Sequence, residues 1–458
     1  MDACNCKDFS RTRAAYAGNG LPSIEPGMPN PAGTGMDRRS FMLRSAGMAL
    51  SVYGASGLGP GVFEAGVAQA AGGPASPVLV SVFLPGGLDA LSFLAPVNDA
   101  VYHASRPNLL IAPNSAHTFA DDTRLQWHPS AVGLKTLHEA GKVAVFPSIG
   151  YSHPDQSHFT SRHYWETGSL DLAANSGWLG RYLDQVGNLE NPLQGLSLDG
   201  YLAPALATAT VPVASMDNPT QYEFWANGIG DPVSDRMFDT FGALGQPATT
   251  DPALAQARRV ARHTESVRQS IAPLANQTIV SQATYPTTTD TNDFPHRLAA
   301  LAEMLDRGLP ITCVSIEGVG GYDTHSDQMT ALASNLQMTI DSLVAFQADL
   351  EARGVADRVL IQVWSEFGRR VSQNGNGADS GTDHGAAGVA LLIGTQVQRQ
   401  VVGEWSGINS LDPQGNMLHT SDFRVMYAAI LDQWLGADPA SIIPGADSMV
   451  LPNLIRAA

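Results

Sequence analysis

The 458-residue chain predicts an α/β fold, a mainly parallel sheet covered by helices on both faces. Two observations carry this. Apolar runs of strand length recur, and the segments between them repeat their apolar residues with helical period. The first run, Val78 to Leu84, is rich in β-branched residues and closed by Pro85-Gly86-Gly87. A run with no polar alternation suits a strand buried on both faces. Residues 131–140 then read as a helix stopped by Gly141, and Val143 to Pro147 as the next strand. The same unit returns where "FPHRLAALAEMLDRG" leads into the strand Ile311 to Ile316. It returns again where a long helix leads into Val359 to Trp364. "AAGVALLIG" supplies a fifth strand, and "TSDFRVMYAAILDQWLG" a final helix with Thr420 or Ser421 as its expected cap. Residues 187–292 break the alternation and are expected to form a cap inserted over the sheet. Residues 1–36 and the "VSQNGNGADSGT" stretch over 371–382 read as loop or disorder.

Composition narrows the partners. A formal net charge of -17 opposes nucleic acid and anionic membrane surfaces, which both need a basic patch. The three cysteines, Cys4, Cys6 and Cys313, make neither a disulfide framework nor a cysteine zinc site. Near the N-terminus Arg38-Arg39 and Phe41 precede a weakly apolar Gly/Ala-rich stretch ending in Ala68-Gln69-Ala70, a small-x-small cleavage pattern. Residues 1–70 therefore look like a leader and signal peptide for the twin-arginine export machinery. The expected mature chain, 71–458, is periplasmic or secreted, and no later segment approaches the apolar length of a membrane span.

In parallel α/β sheets ligands gather at the carboxyl ends of the strands. Polar residues crowd the segments that follow these predicted strands. They are Asp89 after the first, then Ser152, His153, Asp155, Ser157, His158 and His163 after the second. Asp323, His325 and Asp327 follow the third, in "GVGGYDTHSDQ". Ser365, Glu366, Arg369 and Arg370 follow the fourth, and Asp383 and His384 precede the fifth. Carboxylates and imidazoles brought to one edge are what a divalent cation needs. Taken singly, Asp323 also suits a helix cap, and Glu366 with Arg369 a surface pair.

The motifs "GGLDALSFLAP", "SHFTSRHYWETG", "GYDTHSDQ", "WSEFGRR" and "GTDHGAAGVALLIG" resemble, in order, those of domain-of-unknown-function family 1501. Its members are twin-arginine-exported bacterial proteins grouped with the alkaline phosphatase and sulfatase superfamily. The resemblance implies an alkaline-phosphatase-like three-layer sandwich with a metal centre at the sheet's C-terminal edge. It implies Asp89, Asp323, His325 and His384 as ligands, with Glu366, Asp383, Asp327 or His158 completing one or two ions. Zinc, calcium, magnesium and manganese all remain open. Ser157 matches the nucleophile of a phosphate- or sulfate-ester hydrolase, with Ser152 as second candidate and Arg369 or Arg162 holding the ester oxygens. The substrate would be a small-molecule or polymer ester. This chain departs from the superfamily in two places: Asp323 and His325 are two residues apart rather than four, and Glu366-Phe367 stands where an Asp-His pair belongs. A formylglycine sulfatase is disfavoured, because Ser152-x-Pro154-x-Gln156 lacks the arginine. The alternative is an exported binding protein without catalysis that keeps the fold and uses the 187–292 cap. A serine hydrolase of the α/β-hydrolase kind is weaker, since the mature chain has no G-x-S-x-G elbow. There is no H-E-x-x-H zinc motif and no Walker A loop.

Overall fold

The computed structural model describes residues 52–53, 76–222, 231–288 and 293–456. Apart from Val52–Tyr53, the expected leader and signal over 1–70 lies outside the described residues. The framework is laid down by β1 (Val78–Phe83), α1 (Val132–Glu139), β2 (Val143–Gly150), α2 (His158–Thr167) and α3 (Trp178–Val186). Two short strands follow, β3 (Gly195–Ser197) and β4 (Val213–Ser215), and then helices α4 (Asp231–Gly245), α5 (Pro252–Ile271) and α6 (Phe294–Asp306). The remainder is β5 (Cys313–Glu317), α7 (Gln328–Ala352), β6 (Val359–Trp364), β7 (Arg369–Asn374), β8 (Gly381–His384) and β9 (Gly388–Ile393), closed by β10 (Gln400–Val401), β11 (Ser421–Asp422) and α8 (Phe423–Gln433).

The main sheet runs in the order β4-β3-β5-β1-β6-β9-β2, with β10 and β11 both pairing with β2. Neighbours from β4 to β6 are parallel; β9 alone runs against β6 and β2. The fold is thus α/β with a large, mostly parallel sheet, as expected. Side chains alternate across it. Leu79, Phe83, Leu360, Trp364, Ala390 and Leu392 join one core with residues of α2, α3 and α8. Val363, Val389 and Leu391 turn the other way, towards Leu336, Ile340 and Leu343 of α7. Apolar residues on both faces of one strand are why these runs lack polar alternation. In β2, Pro147 lies where the pairing to β9 shifts register between Gly388 and Ala390, a place that tolerates its missing N–H.

Three expectations change. The span 187–292 is not wholly a cap, since β3 and β4 join the sheet with three residues each. Residues 371–382 are not disordered: β7 and β8 pair as a hairpin, Arg369 opposite His384 and Asn374 opposite Gly381. The final helix is capped by Asp422, whose Oδ1 accepts from the Arg424 N–H at 2.9 Å, while Ser421 belongs to β11. Residues 231–265 fall in a compact unit separate from residues 53–222 and 266–456. Within it Arg262, midway along α5, donates to the Gly245 carbonyl at the end of α4 at 2.9 Å.

An aromatic stack sets the position of α2. Trp165 lies parallel to Trp364 of β6, with ring centres 5.3 Å apart, and stacks on Phe423 of α8 at 4.6 Å. Tyr427 donates its hydroxyl to the Trp165 carbonyl at 2.9 Å. The opening turn of α2 is thereby held above the strand ends, and that turn carries Ser157 and His158. Among the described residues no helix is long and apolar enough to cross a membrane.

Candidate metal centre and active site

Parallel strands end together. Phe83 of β1 is in register with Trp364 of β6 and with Glu317 of β5, so the loops after all three emerge at one edge. The reversed strand β9 contributes its beginning instead, with Gly388 opposite Ile149 of β2. Asp323 and His325 therefore meet His384 and the start of α2 there. Glycine permits the close contact: Gly86 has φ +113, and a Cβ on it would stand 2.3 Å from the Asp323 nitrogen.

At the centre is Asp323. Its Oδ1 lies 3.1 Å from Nε2 of both His325 and His384, and its Oδ2 lies 3.4 Å from Nε2 of His158. The Nε2 atoms of His325 and His384 are 3.0 Å apart. Each of these imidazoles is tied at its other nitrogen. His384 Nδ1 is 2.7 Å from the Gln156 carbonyl, His158 Nδ1 2.7 Å from Glu366 Oε1, and His325 Nδ1 3.1 Å from Asp383 Oδ1. Carbonyl and carboxylate oxygens accept, so each Nδ1 is the N–H, and a ring holding that one proton turns an Nε2 lone pair towards Asp323. Two lone pairs facing each other at 3.0 Å repel unless a cation lies between them. Zinc–nitrogen bonds of about 2.0–2.1 Å place tetrahedral donors roughly 3.3 Å apart, close to the spacings in this cluster. The donor set therefore fits a divalent metal, with His158, Asp323 and His384 forming a group whose ligand atoms all lie within 4.8 Å of one another. Asp323 and His325 are 46% and 45% exposed, so an ion here would meet solvent, as a catalytic site requires.

The charges fit a ligand set. Burial pulls the Asp323 carboxyl up, but the hydrogen bond and charge of Arg369 lead the effects that outweigh it and hold the pKa at about 2. The hydrogen bond to Glu366 raises the pKa of His158 against the opposing effect of burial. Asp383 is lowered, its Asn374 and His325 hydrogen bonds overcoming its desolvation.

Other expected site residues lie elsewhere or do other work. Asp89 is buried and saturated: Arg106 grips both its oxygens at 2.5 and 3.0 Å, and Ser92 and Gln328 donate at 2.7 and 2.5 Å. It accepts from the Leu91 N–H at 3.2 Å as a helix cap, with no lone pair turned towards the histidines. Glu366 is also buried; its oxygens accept from the Gly86 and Gly87 N–H groups at 2.9 to 3.2 Å and from Ser365 at 3.0 Å. It fixes the ring of His158 through Oε1, 2.7 Å from Nδ1. Asp383 likewise stands behind His325, and such partners set ring direction and ligand basicity.

Arg369 is fully enclosed. It donates to the carbonyls of Gly87, Thr382 and Tyr322 at 3.0, 2.7 and 3.0 Å, to that of Gly86, and to Asp323 at 2.6 Å. It clamps the loops and has no fork left for an ester. Arg162 spends its guanidinium on Glu166 at 2.9 Å, Glu317 at 3.5 Å and Tyr201 at 3.2 Å. Asp327 precedes α7 at φ +50 without a side-chain cap bond, and Ser152 is exposed. Ser157 is the N-cap of α2, but its Oγ accepts from the Thr160 N–H only at 3.5 Å, a weak bond that leaves the hydroxyl available. Sequence reasoning missed Gln156, which acts through its backbone carbonyl, and Arg106 and Gln328, which fix Asp89. A backbone contact leaves no side-chain signature.

A family model described as "Protein of unknown function (DUF1501)" matches residues 77–443. No curated protein matches the chain. Among solved structures, the chain is similar to a protein of the alkaline phosphatase superfamily from Vibrio parahaemolyticus, with 9% identity, coverage of 91% of this chain and 80% of that one, and a TM-score of 0.35. It is similar to a phosphonate monoester hydrolase from Silicibacter pomeroyi, with 12% identity, 81% and 75% coverage and a TM-score of 0.32. For the lipoteichoic acid synthase LtaP of Listeria monocytogenes the figures are 8% identity, 88% and 79% coverage and a TM-score of 0.35.

Proposed function

The chain belongs to the DUF1501 family, and from that membership and its histidine cluster we propose that it is an exported, metal-dependent hydrolase of phosphate or sulfate esters. One observation carries the metal: His325 and His384 present facing Nε2 lone pairs at 3.0 Å while their other nitrogens are held by oxygen acceptors. His325, His384, Asp323 and His158 would hold the ion, and three nitrogens with one carboxylate favour zinc over calcium or magnesium. Bound there, the metal would supply Lewis acidity to an ester oxygen and lower the pKa of a coordinated hydroxyl.

The protein's own groups do the rest. Ser157 sits one residue before His158, at the positive end of α2, with a weakly engaged Oγ. We assign it as nucleophile: Oγ bonds to the phosphorus or sulfur, the alcohol departs, and water then hydrolyses the seryl ester. Glu366 holds the ring of His158 still, and Arg369 holds the Asp323 loop against β1. Arg370, whose Nε donates to the His384 carbonyl at 3.3 Å, takes over the oxygen-holding role first expected of Arg369 and Arg162.

A second reading has an observation of its own. Both arginines expected to hold an anionic ester are committed to protein partners, which suits an exported binding protein that uses its metal without turnover. Elemental analysis of purified protein beside an Asp323→Ala/His325→Ala variant is expected to find near-stoichiometric zinc lost in the variant. Hydrolysis of 4-nitrophenyl phosphate or sulfate should fall at least about a thousandfold in Ser157→Ala, with zinc retained. Zinc without hydrolysis of either ester would favour the binding reading, and absence of metal from the native protein would end the hydrolase and leave the 187–292 region as the binding surface.

A further inference from the structure

The edge that carries the metal cluster continues past β5 to β3 and β4, and there it opens into a cavity of about 460 Å³. Asp199 and Tyr201 follow β3, Asp217 follows β4, and Glu317 ends β5, while Asp293 and Arg297 close the far side from the start of α6. One wall is shared with the metal site. Glu317 is bound by the Tyr201 hydroxyl and by Arg162, which lies one helical turn after His158 on α2.

The carboxylates here outnumber the arginines, but all except Asp217 have one as a partner. Arg297 pairs with Asp199 at 2.5 Å and Asp293 at 2.8 Å, and Arg162 with Glu317 at 3.5 Å. Asp217, exposed after β4, has no such arginine among the described residues. Carboxylates already paired gain little from a further cation, yet each keeps lone pairs for hydrogen bonds. No uncommitted arginine or lysine lines the cavity for a second anion. Tyr201 shows 43% of its surface, giving an aromatic face beside these acceptors. Fixed carboxylate acceptors, most of them already held by arginine, an aromatic face and bare glycine backbone at Gly200 and Gly320 suit a neutral ring bearing several hydroxyls.

We infer that this cavity is a subsite for the sugar portion of the substrate, which makes the ester at the metal a sugar phosphate or sugar sulfate. The inference rests on the hydrolase reading for its role, but sugar binding can be measured without turnover. Gly200 permits a clean block, since a Cβ there meets only Asp217 Oδ2, at 3.8 Å, and its backbone is not left-handed. Gly200→Leu should fill the space and leave the histidine cluster intact.

The experiment is saturation-transfer magnetic resonance with glucose, galactose, mannose and N-acetylglucosamine, on native protein and on the Gly200→Leu and Asp217→Ala variants. At least one sugar is expected to receive saturation from the native protein, and to lose it in Gly200→Leu. Zinc content and 4-nitrophenyl ester hydrolysis should stay unchanged, while KM for the matching sugar ester rises about tenfold or more with kcat retained. Absence of sugar binding, or sugar binding untouched by both variants, overturns the subsite. Binding of putrescine in place of every sugar also overturns it, because the acidic groups would then be serving a cation. Sugar binding without ester hydrolysis would instead leave the subsite standing and remove the hydrolase.

Discussion

Two aspartates of the same predicted site separate into different roles once their neighbours are known. Asp89 is enclosed by Arg106, Ser92 and Gln328, whereas Asp323 is half-exposed among three imidazoles. Replacing Asp89 by alanine leaves the Arg106 charge buried without its partner, a change that typically costs about 3–5 kcal/mol. Asp89→Ala is therefore expected to lower the denaturation midpoint sharply while the surviving folded fraction keeps its metal. Asp323→Asn should do the reverse, losing metal with little loss of stability in the apo form; chemical denaturation beside elemental analysis reads both. The sequence could show that Asp89 follows a strand. It could not show that Gln328, 239 residues further on, turns an amide onto it, because that contact is made only by tertiary packing.

At the scale of elements, the long apolar strands were legible because burial on both faces leaves a continuous signal. Residues 78–84 and 359–364 were read nearly as they stand. Strands β3 and β4 registered only as the strand-like pieces "LSLDG" and "ATVPVASM", because three residues each are too few to show that they join the sheet. The hairpin over 369–384 was misread because Asn-Gly-Asn-Gly favours tight turns as much as disorder; Gly375 and Gly377 take φ of +68 and +70 there. The site depended on helix α2 more than spacing could convey. Trp165, stacked between Trp364 and Phe423, anchors the helix that carries Ser157 and His158. Trp165→Ala should cost about 3–5 kcal/mol from lost packing. It should also weaken zinc binding, since the helix start is no longer fixed; a chelator competition titration of the folded variant checks this.

For the molecule as a whole, the dependence of stability on pH follows from a histidine outside the site. His128 is buried, with Nδ1 accepting from the Ser130 N–H at 3.0 Å, and burial lowers its pKa to about 4 from 6.5. Below 6.5 the unfolded chain takes up a proton that the folded chain refuses until about pH 4. Stability from this group is complete above 6.5 and declines as pH falls across that window, by about 3 kcal/mol in all. Burial alone would raise the Asp89 carboxyl, but Arg106 keeps its pKa below 3.8, so its contribution persists through that window and is lost at lower pH. A His128→Gln variant is expected to flatten the profile between pH 6.5 and 4, as read by denaturant midpoints at a series of pH values.

The order of strands in the sheet sets a timetable for synthesis. β1, the first strand of the framework, pairs on one side with residues 313–317 and on the other with 359–364. At about 5–20 residues per second, its two partners leave the ribosome roughly tens of seconds after it does. For that interval a strand apolar but for Ser81 has neither neighbour, and its backbone N–H and carbonyl groups are open to any other extended chain. The nascent protein is thus most vulnerable to association through β1 before its last quarter has been made, and a chaperone that covers this one segment would protect the whole.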